Sequence, residues 1–181
     1  VYRIENIQST SKGMRWYEME PDRVPLGTKR MPKKQVYHFL LGDPGMCSYS
    51  DKVIKQLEPA NIKLMKNWNK KFTAPVTDDE VVTLLRLSAV IDELWDAQIQ
   101  LRKEVGTKTQ DTISIFGYTD DAVDSHTTIR QKDKILSELY KSEHMRNAGP
   151  YARLKFAMDY WCALWFWPID KADLLPTRSE F

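Results

Sequence analysis

The sequence predicts a mainly α-helical chain, a helical bundle with a long central helix, preceded by an irregular N-terminal arm with a short strand region. Apolar residues recur at helical spacing over most of the chain after residue 50, whereas the preceding residues show no sustained period. The composition, 42% hydrophobic and 29% charged with six Trp, is that of a folded globular chain. We therefore expect an extended arm over residues 1–49 and one compact helical domain over residues 50–181.

The arm is predicted to consist of strands and loops. Residues 1–35 mix aromatic residues with turn formers such as Pro25, Gly27 and Pro32. Residues 35–41 are β-branched and aromatic, and Gly-Asp-Pro-Gly follows them at residues 42–45. This order is typical of a buried strand that ends in a turn.

Three helix starts are predicted from local signals. Ser50 can cap a first helix, and Pro59 can occupy the first turn of a second. Thr77 followed three residues later by Glu80 has the pattern of a capping box, with acidic residues where the helix dipole favours them. The box opens the longest helix, which is expected to run unbroken to Val105.

The long helix carries an apolar stripe with a period of about 3.5 to 3.6 residues. We expect this stripe to pack antiparallel against other helices. The residues predicted to make that contact are Leu84, Leu87, Ile91, Leu94 and Trp95.

The last third of the chain predicts a polar connection and two further helices. Residues 107–119 are interpreted as a loop, and residues 125–144 as a weaker helix. Pro150 suits the first turn of the last helix, which is apolar on nearly every side as far as Phe166. We therefore expect that helix to be buried on all faces, either in this chain or against other parts of a longer protein. A longer protein is expected because the chain opens at Val1 without an initiator Met.

The bulk features point to a reducing compartment and no membrane segment. Cys47 and Cys162 lie in unlike contexts and offer neither a disulfide framework nor metal spacing. The most apolar run, residues 160–169, is about half of the roughly 20 residues that a membrane span needs. The cytoplasm is the expected location. A net charge of +2 does not by itself imply nucleic-acid binding.

The distribution of charge is more informative than its sum. Residues 23–34 contain five basic residues and no acid. Clustered cations in an irregular segment can displace counterions from nucleic acid, although a solvated loop is the simpler interpretation. The candidate nucleic-acid contacts are Lys29, Arg30, Lys33 and Lys34. The lysines at positions 52, 55, 63, 66, 70 and 71 add to the basic character of the first half.

Other candidate sites are weaker. The turn at residues 43–46 follows a strand, as the amine-binding motif of amino-methyltransferases does, but Gly45 and Met46 replace the second Pro and the aromatic residue. His38, His126 and His144 lack metal-ligand spacing, and His38 is interpreted as a core histidine. The acidic pairs at residues 78–79 and 120–121 are interpreted as helix-start and loop residues. The aromatic run at residues 160–168 is interpreted as core or as a docking surface.

Three stretches together resemble one family. They are VPLGTKRMPKKQVYHFLL at residues 24–41, DPGM with YSDK at residues 43–46 and 49–52, and MDYWCALWFWPI at residues 158–169. They are similar to an internal region of very large bacterial DNA methylases of the restriction-modification and phage-defence type, which resemble adenine-N6 methyltransferases.

The resemblance implies a parent protein that binds S-adenosylmethionine and methylates the exocyclic amine of adenine in double-stranded DNA, after turning the base out of the duplex. The chain itself contains no Gly-rich cofactor loop and no Asn-Pro-Pro-aromatic motif, so no catalytic or cofactor residue carries over and no cofactor is expected in it. The leading hypothesis is a non-catalytic helical region beside the DNA cleft, in contact with the remaining domains of the parent. The alternatives are a protein-protein docking module and a catalytic lobe with a degenerate site at residues 43–46.

Overall fold

The computed structural model describes residues 1–8, 14–110, 127–141 and 147–181. The chain is mainly helical, with one long helix and a short two-stranded sheet near the N terminus, which confirms the predicted fold class. The α-helices of the described residues are α1 Ile4–Gln8, α2 Lys52–Leu57, α3 Pro59–Phe72, α4 Asp78–Thr109, α5 Ile129–Lys141 and α6 Pro150–Ala163. The 3-10 helices are Trp16–Glu18, His38–Leu40 and Ile169–Leu174.

The sheet is shorter than the sequence predicts. Strand β1, Tyr2–Arg3, pairs antiparallel with strand β2, Gln35–Val36, and places Tyr2 opposite Val36. The predicted strand over residues 35–41 is wrong beyond Val36. In this antiparallel register Tyr37 would face Val1, but the backbone of Val1 is hydrogen-bonded to that of Asp22 instead. Residues His38–Leu40 instead form a 3-10 helix.

The helix starts are mostly as predicted. Asp51, not Ser50, caps α2, since its Oδ1 accepts hydrogen bonds from the amides of Val53 and Ile54 at 2.8 and 2.9 Å. Ser50 lies one residue too far from these amides. Pro59 is the first residue of α3, as expected.

Helix α4 begins with the predicted capping box. The Thr77 amide donates to Glu80 Oε2 at 2.8 Å, and the Glu80 amide donates to Thr77 Oγ1 at 3.4 Å. The helix then continues without a break for 32 residues, a length of about 48 Å at about 1.5 Å per residue. The prediction of one long helix is confirmed, and Gly106 lies within the helix instead of ending it.

The predicted contact stripe of α4 is only partly buried. Ser88 and Ile91 are buried, whereas Leu87 is 38% exposed and Trp95 is 40% exposed. Leu87 lies about 100° around the helix from Ser88, because an α-helix has about 3.6 residues per turn. The buried line therefore passes through Ser88 and not through Leu87, and the large ring of Trp95 is only partly covered.

The chain forms two compact units, residues 1–90 with 157–181 and residues 91–156. The predicted division between residues 49 and 50 does not coincide with this one. The reason lies in the core of the first unit, where Cys47 Sγ donates to the Leu164 carbonyl at 3.1 Å and Trp161 Nε1 donates to the Leu41 carbonyl at 2.8 Å. The predicted arm and the end of the last helix share one core.

In the part of the first unit that the structure describes, three groups of buried side chains form the core. One contains residues of the arm and the start of α4, and the other two pack α3 and the turn before α2 against the C-terminal residues. The groups are Ile7, Trp16, Val36, Leu41, Val76 and Val81; Met46, Phe72 and Leu164; and Cys47, Met65 and Ala172.

The second unit contains most of α4, all of α5 and the start of α6. Helix α5 begins after Thr128, whose hydroxyl accepts a hydrogen bond from the Gln131 amide at 3.3 Å. Leu154 of α6, which belongs to this unit, is buried. Residues 111–126 and 142–146 lie outside the described part of the chain, and with them the predicted loop beyond residue 110, the second acidic pair, His126 and His144.

Within this chain the last helix is not buried on all faces, and its burial against other parts of a longer protein stays a prediction. Helix α6 ends at Ala163, and Tyr151, Phe156 and Phe166 are 62%, 72% and 83% exposed. The Trp side chains of the aromatic run pack with Met46 and Leu164 on one side, and a single side of the segment cannot cover the remaining aromatic residues. Within the described residues, no helix combines the length and the apolar character needed to cross a membrane.

Candidate nucleic-acid interface

Arg30 is the buried residue of the basic loop. Only 4% of it is exposed, and its Nη1 donates hydrogen bonds to the carbonyls of Gln35 at 2.7 Å and Pro32 at 3.2 Å. Its guanidinium group also lies 5.5 Å from the centre of the Tyr37 ring, within the range of a cation–π interaction. A phosphate contact by Arg30 would require it to leave these carbonyls. The structure therefore gives Arg30 a role in shaping the loop.

The three predicted lysine contacts lie on the outside of the same loop. Lys29, Lys33 and Lys34 are exposed. Lys34 closes a turn, since its amide donates to the Met31 carbonyl at 3.1 Å, and its own carbonyl accepts from the Ile4 amide at 2.9 Å. The backbone of the loop is thus committed to protein contacts while its lysine side chains point away from the core.

Gln35 braces the loop from inside. Its side chain is buried, accepts from the Met31 amide at 2.8 Å and donates to Asp22 Oδ2 at 2.9 Å. Asp22 also accepts from Arg3 Nε at 2.7 Å. The hydrogen bonds from Arg3 and Gln35 lower the pKa of Asp22. This acid is therefore held by its own partners beside the loop.

A second group of lysines lies on α3. The helix contains Lys63, Lys66, Lys70 and Lys71 and no acidic residue, and all four are exposed. The sequence places these residues in the basic first half of the chain, but they were not among the predicted site residues. Their spacing of three and four residues was the signal that could have found them, because such residues share one face of a helix.

The turn at residues 43–46 is closed to a substrate. Met46 is fully buried, Asp43 Oδ1 accepts from the Gly45 amide at 2.7 Å, and a Cβ atom at Gly45 would lie 2.4 Å from the Trp165 ring. The carboxylate thus binds its own turn, and the Trp ring fills the space beside Gly45. This geometry matches an ordinary turn and gives no support to a degenerate catalytic site.

The histidine and cysteine residues offer no metal centre in the described residues. His38 is exposed, not a core histidine as predicted, because its strand ends before it; its ring lies edge-on to Trp161 at 5.7 Å. Partial burial lowers its pKa. Burial raises the pKa of the Cys47 thiol to about 11, and such a thiol is a poor nucleophile. Among the described residues, no group of three or more His, Cys, Asp or Glu side chains could hold a metal ion.

Comparison of the chain with protein-family models, with curated proteins and with solved structures finds no match.

Proposed function

We propose that this chain is a non-catalytic helical region of a large S-adenosylmethionine-dependent DNA adenine methyltransferase of a restriction-modification or phage-defence system, and that it contacts DNA beside the cleft. The resemblance of residues 24–41, 43–46, 49–52 and 158–169 to such methylases supports the assignment of the parent. The closed turn at residues 43–46 supports the non-catalytic role. The cytoplasm is the location that this proposal implies.

One observation carries the DNA contact. Lys29, Lys33 and Lys34 are exposed on a loop that the buried Arg30 and Gln35 hold in shape. Exposed lysines on a fixed loop lose little conformational freedom of the backbone when they meet phosphates, and each neutralised phosphate releases counterions. The loop therefore serves as a positioning contact, since phosphate contacts set register and do not read sequence.

The parent's class is tested by its reading frame. We expect the residues that flank this chain in the gene to contain an Asn-Pro-Pro-aromatic motif after a predicted strand and a Gly-rich cofactor loop, because the chain lacks both. Sequencing the gene on either side is the measurement. A complete reading frame without either motif would exclude a methyltransferase parent.

The DNA contact is tested by the salt dependence of binding. In the 181-residue chain, replacing Lys29, Lys33 and Lys34 by Gln removes three charges without disturbing Arg30. The slope of log K against log salt for a duplex DNA of mixed sequence should flatten by roughly 2.7, which is three contacts at roughly 0.9 each. Affinity should fall alike for all sequences.

The control variant carries the same loss of three charges on other helices, at Lys103, Lys108 and Lys134, each replaced by Gln. It should keep the wild-type slope. Both variants are first checked for an unchanged melting midpoint. If the wild-type chain binds duplex DNA without salt dependence, or if the loop and control variants behave alike, the loop is not a DNA contact.

A second candidate, the protein-protein docking module, is favoured by one observation. Phe166 is 83% exposed and Leu174 is 62% exposed, both in the C-terminal part of the first unit. Contiguous exposed apolar patches mark protein interaction sites, and these two side chains are candidates to belong to one. Two results together would favour this function over DNA contact. The first is that none of the lysine variants loses DNA binding. The second is that another domain of the parent binds the chain tightly and that Phe166→Ser abolishes this binding.

A further inference from the structure

We propose that α3 provides a second phosphate-binding surface, and that its lysine side chains lie along the sugar-phosphate backbone of duplex DNA. The surface consists of Lys63, Lys66 and Lys70 and is named the α3 lysine face. The choice of DNA as the polyanion rests on the proposed function. The surface itself shares no residue with the basic loop.

The three lysines share one side of the helix. At about 100° per residue, Lys66 and Lys70 lie within about 60° of Lys63 around the helix axis. The opposite side carries Met65 and Phe72, both buried, and buried Ile62 lies at the edge between the two sides. Helix α3 thus has one face in the core and one face that displays positive charge to solvent.

The buried side of α3 is fixed by hydrogen bonds as well as by apolar contacts. Trp68 Nε1 donates to the Pro176 carbonyl at 2.6 Å. Asn69 Nδ2 donates to the carbonyls of Asp43 at 3.0 Å and Met46 at 2.8 Å. Because α3 is held from behind at these points, the positions of its lysine Cα atoms are set before any ligand arrives, which reduces the entropy cost of binding.

The charge of the face is not compensated by neighbouring acids. Across the residues that the structure describes, no carboxylate comes within ion-pair distance of Lys63, Lys66 or Lys70. Like charges three and four residues apart destabilise a helix by about 0.2–0.5 kcal/mol per pair. The helix dipole offsets this cost only in the last turn, so it accounts for Lys70 and not for Lys63 and Lys66. A polyanion accounts for all three.

The length of the face suits a DNA strand. Lys63 and Lys70 are seven residues apart, so their Cα atoms are separated by about 10 Å along the helix axis at about 1.5 Å per residue. One strand of duplex DNA places a phosphate about every 3.4 Å along its axis. The strand also winds around this axis, so its successive phosphates lie further apart than the axial rise, and the face spans a short run of phosphates that the long lysine side chains can reach.

The test compares three variants of the 181-residue chain in salt titrations with the same duplex DNA. The face variant replaces Lys63, Lys66 and Lys70 by Gln, which has a helix propensity similar to that of Lys. A rescue variant replaces the same residues by Arg and keeps the charge. The third is the control variant at Lys103, Lys108 and Lys134. Melting midpoints establish that each variant is folded.

We expect the face variant to flatten the salt slope by roughly 2.7 while the rescue and control variants keep the wild-type slope. If the face variant keeps the wild-type salt slope, this inference is overturned. If the loop variant flattens the salt slope in the same titrations, the proposed function still stands. An equal loss in the control variant also overturns it. If poly-glutamate at equal charge concentration binds the wild-type chain as tightly as the duplex does, the face suits an acidic protein and the DNA assignment is overturned.

Discussion

Helices α3 and α4 differ in how the charges on their exposed surfaces are balanced. Helix α3 carries four lysines and no acid over 14 residues. Helix α4 carries acidic and basic residues together, including an ion pair between Lys108 and Glu104 four residues apart, and a first turn of three acids. The surface of α4 is balanced within itself, and the surface of α3 is not.

The difference teaches which exposed charges need an explanation outside the helix. Pairs of opposite charge at helical spacing stabilise the helix that carries them, so α4 needs no partner to account for its charges. The lysines of α3 repel one another and are tolerated because Trp68, Asn69 and the buried apolar residues fix the helix from its other side. Tertiary packing thus permits a surface that local helix energetics disfavours.

Glycine replacements should show how tightly each helix is packed. Gly42→Ala would place a Cβ atom 2.4 Å from Phe72 Cδ1 and 2.9 Å from the Phe72 carbonyl oxygen at the end of α3. We expect a loss of about 1–3 kcal/mol in the free energy of unfolding, as for overpacking of a core. Gly106→Ala in α4 meets nothing within 4 Å and should instead stabilise the chain by about 1 kcal/mol.

Urea unfolding of both variants measures these changes, and each serves as the control for the other. If the two replacements shift the unfolding midpoint in the same direction, the contrast between a packed α3 end and an open α4 surface is contradicted. If Gly42→Ala leaves the free energy of unfolding unchanged while Gly106→Ala raises it, the contact between residue 42 and Phe72 is not tightly packed.

A smaller effect concerns pH at the start of α4. Partial burial raises the pKa of Glu80, but hydrogen bonds from Thr77 and Arg178 outweigh it, so the pKa lies below its ordinary 4.5. A depressed carboxyl pKa contributes stability above the unfolded-state pKa, and this contribution is lost as pH falls through the folded-state value. We expect Glu80→Gln to remove a part of the stability, less than about 1 kcal/mol, that is present near neutral pH and absent in acid.

The measurement is the free energy of unfolding of wild type and Glu80→Gln at about pH 6 and about pH 3. Glu104→Gln serves for comparison. The hydrogen bond from Lys108 also lowers the pKa of Glu104, but both side chains are exposed to solvent, so we expect a smaller change of the same sign than at Glu80, which binds Thr77 and Arg178. If the free energies of unfolding of wild type and Glu80→Gln differ by the same amount at both pH values, the link between the pKa of Glu80 and stability is contradicted.

The helical part of the fold was readable because its signals are local. Pro59 and the Thr77–Glu80 capping box mark helix starts through contacts within four residues, and the structure confirms both. The strand over residues 35–41 failed because a strand needs a partner, and β1 is only two residues long. The sequence does not reveal that the backbone of Val1 binds Asp22 and so leaves Tyr37 without a strand partner.

The candidate interface divides in the same way. The sequence located the basic loop, and the structure separates buried Arg30 from exposed Lys29, Lys33 and Lys34. Residue type alone could not separate them, because the difference lies in carbonyl groups that converge on one guanidinium group after folding. The resemblance to methylases and the contact with DNA remain proposals.

The sequence by itself determined the mainly helical class, the position of the long helix and the excess of positive charge in the first half, since these depend on spacing along the chain. Only the tertiary structure decided which charges face solvent. It buried Arg30, turned Lys63, Lys66 and Lys70 outward by fixing the other side of α3, and left Phe166 exposed in a run that the sequence predicts as core or as a docking surface. The physical reason is that the burial of a side chain depends on which distant segments supply apolar surface and hydrogen-bond acceptors to it. The residues that neighbour it in the sequence do not identify those segments.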